Sequence, residues 1–235
     1  MFTTTEVIAG AVRYVIPGRS FNYYSGLEGL RARYDGATST QPTVTVKGKV
    51  VPRPLTIRET IECAVQNYET LLRADGSTRT KEERLMLFGS QFDTCSAIVY
   101  EKIPSAKFKI VSLASQLTEL EKVAGPCVFV DYAAIAGVEL SFTQGKYNSF
   151  FGLSKSEMDV HLGWKAVVED LALLTTFRDI VFTEAKTDRA MKFCVRGPVR
   201  ESQLHPLYLN WIREKSNIGD VDMNCGVGFL EKWKG

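Results

Sequence analysis

Three capping boxes indicate where helices begin in this chain. A capping box is a Ser or Thr followed three residues later by Glu or Gln, and each of the two side chains bonds to the backbone N–H of the other residue. The motif occurs at Thr56 and Glu59, at Thr80 and Glu83, and at Ser154 and Glu157. Apolar residues spaced three and four apart follow the first and third boxes, which predicts two amphipathic helices there.

The third capping box is followed by the longest apolar stripe in the chain. Its members are Val160, Trp164, Val167, Val168, Leu171 and Leu174. This spacing predicts one long core helix that begins at Ser154 and ends between Arg178 and Phe182. A shorter helix is predicted at 115–125. Another is predicted from Pro206 through Lys215, since proline is favoured at the first helical position.

Segments rich in Val, Ile, Thr and aromatic residues predict strands between these helices. They lie at 43–51, 94–102, 108–113, 127–132, 138–142 and 191–196. Strands and helices interleave without a regular βαβ rhythm, which favours the α+β class. We expect a ferredoxin-like, split βαβ core with helical insertions, folded as a single domain over 1–235. The polar and aromatic segment 144–152 is the place where two lobes would divide.

Composition excludes several classes of protein. Hydrophobic residues make up 45% of the 235 residues and charged residues 24%, as in ordered globular domains. The formal net charge of +2 is too small to attract a polyanion by itself, so such a partner requires local clusters of Lys and Arg. No apolar run is long enough to span a membrane, so no membrane partner is expected.

The five cysteines are widely spaced, with no C-x-x-C pair and no nearby histidine. They are Cys63, Cys95, Cys127, Cys194 and Cys225. This spacing predicts no zinc site, and the odd number argues against a disulfide framework. Free thiols, together with the lack of a secretory signal pattern at the N-terminus, predict a cytoplasmic location.

Catalytic motifs are missing from the sequence. The chain has two histidines, His161 and His205, and it lacks a P-loop, a nucleophile elbow, a dinucleotide fingerprint and an H-E-x-x-H motif. We therefore expect no catalytic residues, no metal and no cofactor, and we favour a non-enzymatic protein. A metal-independent RNA endonuclease that uses His205 and Tyr208 remains an alternative.

Basic residues cluster in the last quarter of the chain. Lys186, Arg189, Lys192, Arg196 and Arg200 fall within fifteen residues of one another. On a strand, Lys192 and Arg196 would project from one face because their spacing is even. These five side chains are the predicted contacts to RNA phosphates. Two further groups would extend the surface if the fold brings them close: Lys47, Lys49, Arg53 and Arg58, and then Arg73, Arg79, Lys81 and Arg84.

Glycines are concentrated near the C-terminus. Ile218-Gly219 is followed by Gly226-Val227-Gly228, and glycine lets a backbone approach a phosphate or a base closely. In these residues the chain resembles the RAMP superfamily of CRISPR-associated RNA-binding proteins, whose ferredoxin-like domains carry a Gly-rich loop near the C-terminus. The resemblance implies that Gly219, Gly226 and Gly228 lie in a loop that approaches CRISPR RNA.

The resemblance also implies a role in antiviral defence. Processing nucleases of the superfamily usually carry a catalytic histidine in the first half of the chain, whereas both histidines lie in the second half here. The leading hypothesis is a non-catalytic RNA-binding subunit of an RNA-guided effector complex, with single-stranded or guide RNA and other protein subunits as partners. The alternatives are a viral or phage coat or nucleocapsid protein and the metal-independent RNA endonuclease.

Overall fold

A computed structural model describes residues 3–8, 11–15, 23–33, 41–73, 75–89, 91–119, 127–142, 153–184, 191–197, 199–212, 215–220 and 229–232. The strands are β1 Thr3–Ile8, β2 Ala11–Val15, β3 Thr43–Val46, β4 Lys49–Pro52, β5 Gln91–Tyr100, β6 Lys107–Val111, β7 Val128–Phe129, β8 Val138–Ser141, β9 Met191–Cys194, β10 Gln203–Ile212, β11 Lys215–Asp220 and β12 Leu230–Lys232. The helices are α1 Tyr23–Arg33, α2 Ile57–Glu69, α3 Lys81–Leu85, α4 Ser115–Glu119, α5 Lys155–Val160, α6 Leu162–Val168 and α7 Leu171–Glu184.

A seven-stranded sheet organises the fold. Its strand order is β8-β6-β5-β10-β11-β9, and β7 pairs with the N-terminal part of β10. The run from β8 to β11 is antiparallel, and β9 is parallel to β11. A separate sheet of three strands pairs β2 with both β1 and β12, which brings the two ends of the described chain together.

The α+β class is confirmed by this arrangement. The finer expectation of a split βαβ core is not confirmed. A split βαβ unit links strands of a sheet through helices. The parallel strands β9 and β11 of this sheet are instead connected through β10.

Helices cover one face of the sheet. Ile61 of α2, Trp164 of α6 and Phe177 of α7 are almost fully buried against Ile98 and Phe108 of the sheet. The rings of Trp164 and Phe177 lie 6.2 Å apart between centroids. Burial of such side chains stabilises a fold by about 1.5–3 kcal/mol each, so this layer is the main core.

A second apolar cluster lies on the opposite face of the sheet. There Tyr23 and Leu27 of α1 pack with Ala97 and Val99 of β5 and with Phe229. Alternate residues of a strand point to opposite faces, so β5 contributes to both cores. Every residue from 92 to 100 is buried as a result.

All three predicted capping boxes are confirmed as helix starts. The predicted long helix after Ser154 is instead divided into α5, α6 and α7. His161 caps α6, and Glu169 adopts a left-handed conformation with φ of 59° before α7 begins. The apolar stripe is therefore continuous in sequence but divided among three short helices. Within the region 115–125, α4 covers Ser115–Glu119 and residues 120–126 lie outside the described part.

The helix predicted from Pro206 through Lys215 is wrong, because residues 206–212 belong to β10 and Lys215 begins β11. Leu207 and Leu209 are buried in the first apolar cluster and Leu204 in the second, and this burial outweighs the local helix signal. Pro206 pairs with Ala97 beside a register shift, the kind of position where a strand tolerates a residue without an N–H. The segment 144–152 lies outside the described residues.

Candidate functional site

Two of the five predicted phosphate contacts in the basic cluster, Lys186 and Arg189, lie outside the described residues. Lys192 is half-buried in β9. Arg196 is also half-buried, and its backbone N–H donates to the hydroxyl of Tyr100 at 2.9 Å. Arg200 is exposed just before β10. Arg200 is therefore the described member of the cluster most open to a ligand.

Most members of the other two predicted basic groups form contacts within the protein instead of extending a basic surface. Arg53 binds Glu59 with two nitrogen–oxygen contacts of 2.7 and 2.8 Å. Arg73 and Lys81 form ion pairs with Glu83 and Glu184. The remaining contacts are Arg58 to Glu62 and Asp170, Arg79 to Asn67, and Arg84 to the carbonyl of Tyr68. These guanidinium and ammonium groups mainly hold α2, α3 and α7 in place.

The predicted RNA-binding glycines are only partly described. Gly219 lies within β11, where it pairs with Tyr208 on one side and Cys194 on the other. Its backbone is therefore part of the sheet, and the expectation of a loop at Gly219 is wrong. Gly226 and Gly228 lie outside the described residues, so their place in a loop stays a prediction.

An open cleft lies where three segments of the sheet meet. Its volume is about 640 Å³, and its lining includes Lys102, Phe129, Asp131, Tyr132, Arg200 and Glu201. Lys102 follows β5, Phe129 ends β7, and Arg200 precedes β10. We refer to this feature as the β5–β7–β10 cleft. Its volume is within the range of ligand-binding pockets.

Backbone hydrogen bonds hold the three segments of the cleft together. The backbone N–H of Lys102 donates to Ser202 Oγ, and that of Val130 donates to the carbonyl of Ser202, each at 3.1 Å. The N–H of Ile103 donates to the carbonyl of Val199 at 2.9 Å. The residues between Val199 and Ser202 are thus anchored at both ends.

Two cations in the cleft have no partner among the described residues. Lys102 and Arg200 are both exposed, and neither side chain forms a hydrogen bond or ion pair with the described part of the chain. They differ in this from the ion-paired Arg and Lys of α2 and α3. The ring of Phe129 is exposed by 69% in the same cleft. A cation pair beside an exposed ring offers both charge and a stacking surface.

The wall of the cleft beside Tyr132 is fixed by a third cation. Lys109 Nζ donates to the carbonyls of Tyr132 and Ile135 at 2.9 and 2.8 Å and lies 4.3 Å from the centre of the Tyr132 ring. The Tyr132 hydroxyl donates to Glu139 at 3.1 Å. Burial and the Glu139 carboxylate raise the pKa of Tyr132, so this residue stays a neutral hydrogen-bond donor.

Both histidines have structural positions. His205 is fully buried in β10, where Nε2 lies 3.0 Å from Gln203 Oε1 and the ring packs edge-on against Tyr100. His161 is buried, and Nδ1 accepts the Trp164 N–H at 3.4 Å. Neither ring is exposed to a substrate. Among the described residues, no group of His, Cys, Asp and Glu is arranged to hold a metal ion.

Sequence patterns indicated Arg200 but not the other residues of the cleft. Lys102, Phe129 and Arg200 are separated by dozens of residues, and the pairing of β7 and β5 with β10 brings them together. Phe129 follows Val128 in an apolar run that is typical of a buried strand, so no local signal indicates its exposure. None of the described helices is long and apolar enough to cross a lipid bilayer.

Comparison with known proteins defines the fold without giving a function. Neither a family model nor a curated protein matches this chain. A solved structure, described by the words "Accommodation of massive sequence variation in Nanoarchaeota by the C-type lectin fold", is similar with a TM-score of 0.53. The match has 10% identity and covers 94% of this chain and 100% of that one. The similarity therefore supports only a mixed α/β fold. A function has to be argued from the side chains of this chain.

Proposed function

We propose that this chain is a non-catalytic binding protein that holds single-stranded RNA in the β5–β7–β10 cleft. The observation that carries the proposal is the presence in one cleft of two exposed cations, Lys102 and Arg200, that have no partner among the described residues, together with the exposed ring of Phe129. Cations neutralise backbone phosphates, and an aromatic ring stacks on an unpaired base. Arg200 also belongs to the basic cluster predicted from the sequence.

Fluorescence anisotropy with a labelled single-stranded RNA of about twelve nucleotides tests the proposal. Binding should weaken between about 50 and 200 mM salt, and Lys102→Gln or Arg200→Gln should each reduce the slope of log K against log salt by about 0.7. Phe129→Ala should weaken binding by about 1–3 kcal/mol. No binding at low salt would remove the proposal.

Lys49→Gln is the matched control for the charge substitutions. Lys49 is exposed in the β3–β4 hairpin and has no side-chain contact in the described part of the chain. Its substitution removes the same charge outside the cleft. An equal loss of affinity in Lys49→Gln would show a general charge effect, and it would count against the cleft as the binding site.

A narrower proposal is that the RNA is a CRISPR guide within an effector complex in the cytoplasm. It is supported by the sequence Gly226-Val227-Gly228 near the C-terminus. Cys63, Cys95, Cys127 and Cys194 are free thiols, as the cytoplasm favours. The ferredoxin-like core belongs to this narrower proposal. A preference for CRISPR repeat RNA over a scrambled RNA would support it, and equal affinity would contradict it.

A second candidate function is self-assembly, as in a coat protein. It is favoured by apolar side chains at the ends of α5, α6 and α7: Val160 is exposed by 69%, Leu162 by 43% and Leu171 by 62%. Exposed apolar side chains that form a contiguous patch are typical of interaction surfaces. Light scattering over a concentration series should then show oligomers that Val160→Glu disrupts, whereas a monomer at every concentration would exclude this function.

A further inference from the structure

The cleft holds carboxylates beside its cations. Glu201 is exposed next to Arg200, and its side chain has no partner among the described residues. Asp131 is exposed as well and accepts the N–H of Ala133 through Oδ1 at 3.1 Å. A surface selected only to bind phosphates gains nothing from these groups, because carboxylates and phosphates repel each other.

A carboxylate in an RNA site therefore needs a hydrogen-bond donor on the ligand. Ionised carboxylates only accept hydrogen bonds. The sugar of RNA carries such a donor in its 2′-hydroxyl, close to the phosphate, and DNA lacks this group. A hydroxyl bonded to a charged acceptor forms a stronger bond than one bonded to a neutral acceptor.

We propose that Glu201 accepts a hydrogen bond from a ribose 2′-hydroxyl whose neighbouring phosphate contacts Arg200, so that the cleft selects RNA over DNA. The inference rests on the proposed function. Arg200 and Glu201 both line the cleft because the chain bends at these two residues. A cation and an anion from adjacent residues therefore line the same cleft.

The backbone on either side of this pair supports its selectivity. On one side, the carbonyl of Val199 accepts the N–H of Ile103. On the other, Ser202 accepts the backbone N–H groups of Lys102 and Val130. Only two residues separate these anchors, so the backbone of the pair is ordered before any ligand binds. A site ordered in advance loses less entropy on binding than a flexible loop.

Anisotropy with matched RNA and DNA strands tests the inference. The two labelled strands share one sequence and differ only in the 2′-hydroxyls, with deoxyuridine in place of uridine. The wild-type protein should bind RNA about tenfold more tightly than DNA, because a hydrogen bond to a charged group changes the affinity by about this factor. Glu201→Ala should bring the ratio of the two affinities near one, by weakening RNA binding and by strengthening DNA binding as a repulsive charge is lost.

One further variant separates the hydrogen bond of Glu201 from its charge, and another is a control. Glu201→Gln keeps an acceptor oxygen without the charge, so it should retain part of the preference for RNA. Glu82→Ala is the control, because Glu82 is an exposed residue of α3 outside the cleft and has no side-chain partner in the described part of the chain. It should leave the ratio unchanged.

The possible results distinguish this inference from the proposed function. Equal binding of RNA and DNA by the wild type, or an unchanged preference in Glu201→Ala, overturns the role of Glu201 while the cleft still binds nucleic acid. Binding of neither strand overturns the proposed function and the inference with it. A preference that is lost in Glu201→Ala and kept in Glu82→Ala supports both.

Discussion

Asp93 is buried on the face of β5 that packs against α1. Its side chain is almost fully enclosed, and neither carboxylate oxygen has a hydrogen-bond partner among the described residues. Burial raises the pKa of Asp93 to about 7. The hydroxyl of Tyr23 is also buried, and burial is the largest of the causes that raise its pKa. A neutral Asp93 is therefore the form that suits this core.

Ionisation of Asp93 should make the fold less stable as pH rises. The pKa of the carboxyl is 3.8 before folding and about 7 in the folded protein. Between these values the folded state holds a proton that the unfolded state has lost, so the free energy of unfolding falls as pH rises. Between pH 3.8 and about 7, ionisation of Asp93 lowers the free energy of unfolding by an amount on the order of 4 kcal/mol. Above pH 7 this loss stays constant.

Asp93→Asn tests this contribution because the amide cannot ionise. Urea denaturation at about pH 5 and about pH 8 should show that the variant loses less stability than the wild type between the two. The facing groups Tyr23 and Cys95 do not titrate in this range, since burial raises the pKa of both, that of Cys95 to about 12. An identical change with pH in both proteins would contradict the assignment.

His161 should produce the opposite dependence on pH. Burial lowers its pKa from 6.5 to about 4, although the nearby Glu157 acts in the other direction. A lowered pKa means that the stabilising effect is complete above pH 6.5 and is lost as pH falls toward 4. Protonation also removes the Nδ1 acceptor that caps α6.

His161→Asn isolates the effect of the histidine, because asparagine caps a helix without titrating. Asp93 titrates in the same window, so both proteins should carry Asp93→Asn. In that background, the His161 protein should lose stability between about pH 7 and about pH 4.5, and the His161→Asn protein should lose less. Equal losses would mean that protonation of His161 does not contribute to the loss of stability at low pH.

At the level of elements, Gly137 allows β8 to approach β6. A Cβ at Gly137 would lie 2.6 Å from the carbonyl oxygen of Ile110, and Ile110 pairs with Val138 in the sheet. Gly137→Ala should therefore shift this pairing and destabilise the fold by about 1–3 kcal/mol. Urea denaturation measures the change.

Gly197→Ala is the matched control for Gly137→Ala. Apart from its neighbours in sequence, no described residue has an atom within 4 Å of the position that a Cβ would take at Gly197. The same chemical change should therefore alter stability by no more than about 0.5 kcal/mol. If both variants lose stability equally, the approach of β8 to Ile110 is not the cause.

Capping boxes predicted helix starts well, whereas helix ends were predicted poorly. The capping boxes were predicted because all of their partners lie within three residues. The division of the long helix at His161 and Glu169 was not, since the apolar stripe continues through both positions. The strand at Pro206 was mistaken for a helix because burial between β5 and β11, rather than local preference, decides its conformation.

The cleft was predicted only in part for a similar reason. Arg200 belongs to a cluster that is visible in the sequence, whereas Lys102 and Phe129 join it only through the register of β5 and β7 on β10. Many predicted cations proved to be partners of nearby carboxylates, as Arg53 is of Glu59. Charge counts along a sequence do not reveal which charges remain free after folding.

At the level of the whole molecule, β5 and β10 connect the two apolar clusters. β5 pairs with β6 and β10, and β10 pairs with β5 and β11, so both strands are interior to the sheet. Residues 92–100 of β5 are buried on both faces, with α2, α6 and α7 on one side and α1 on the other. These strands cannot open without exposing both clusters to water.

Hydrogen exchange should therefore be slowest in β5 and β10. Their amides should exchange only when the whole protein unfolds, whereas amides in α3 should exchange by local opening, because α3 has no buried residue. Exchange measured by mass spectrometry over a series of low denaturant concentrations separates the two processes, since global opening depends steeply on denaturant and local opening does not. Equally steep dependence in α3 would mean that the helix and the sheet unfold as one unit. Shallow dependence in β5 would mean that one apolar cluster persists while the other opens, and the two faces would then be independently stable.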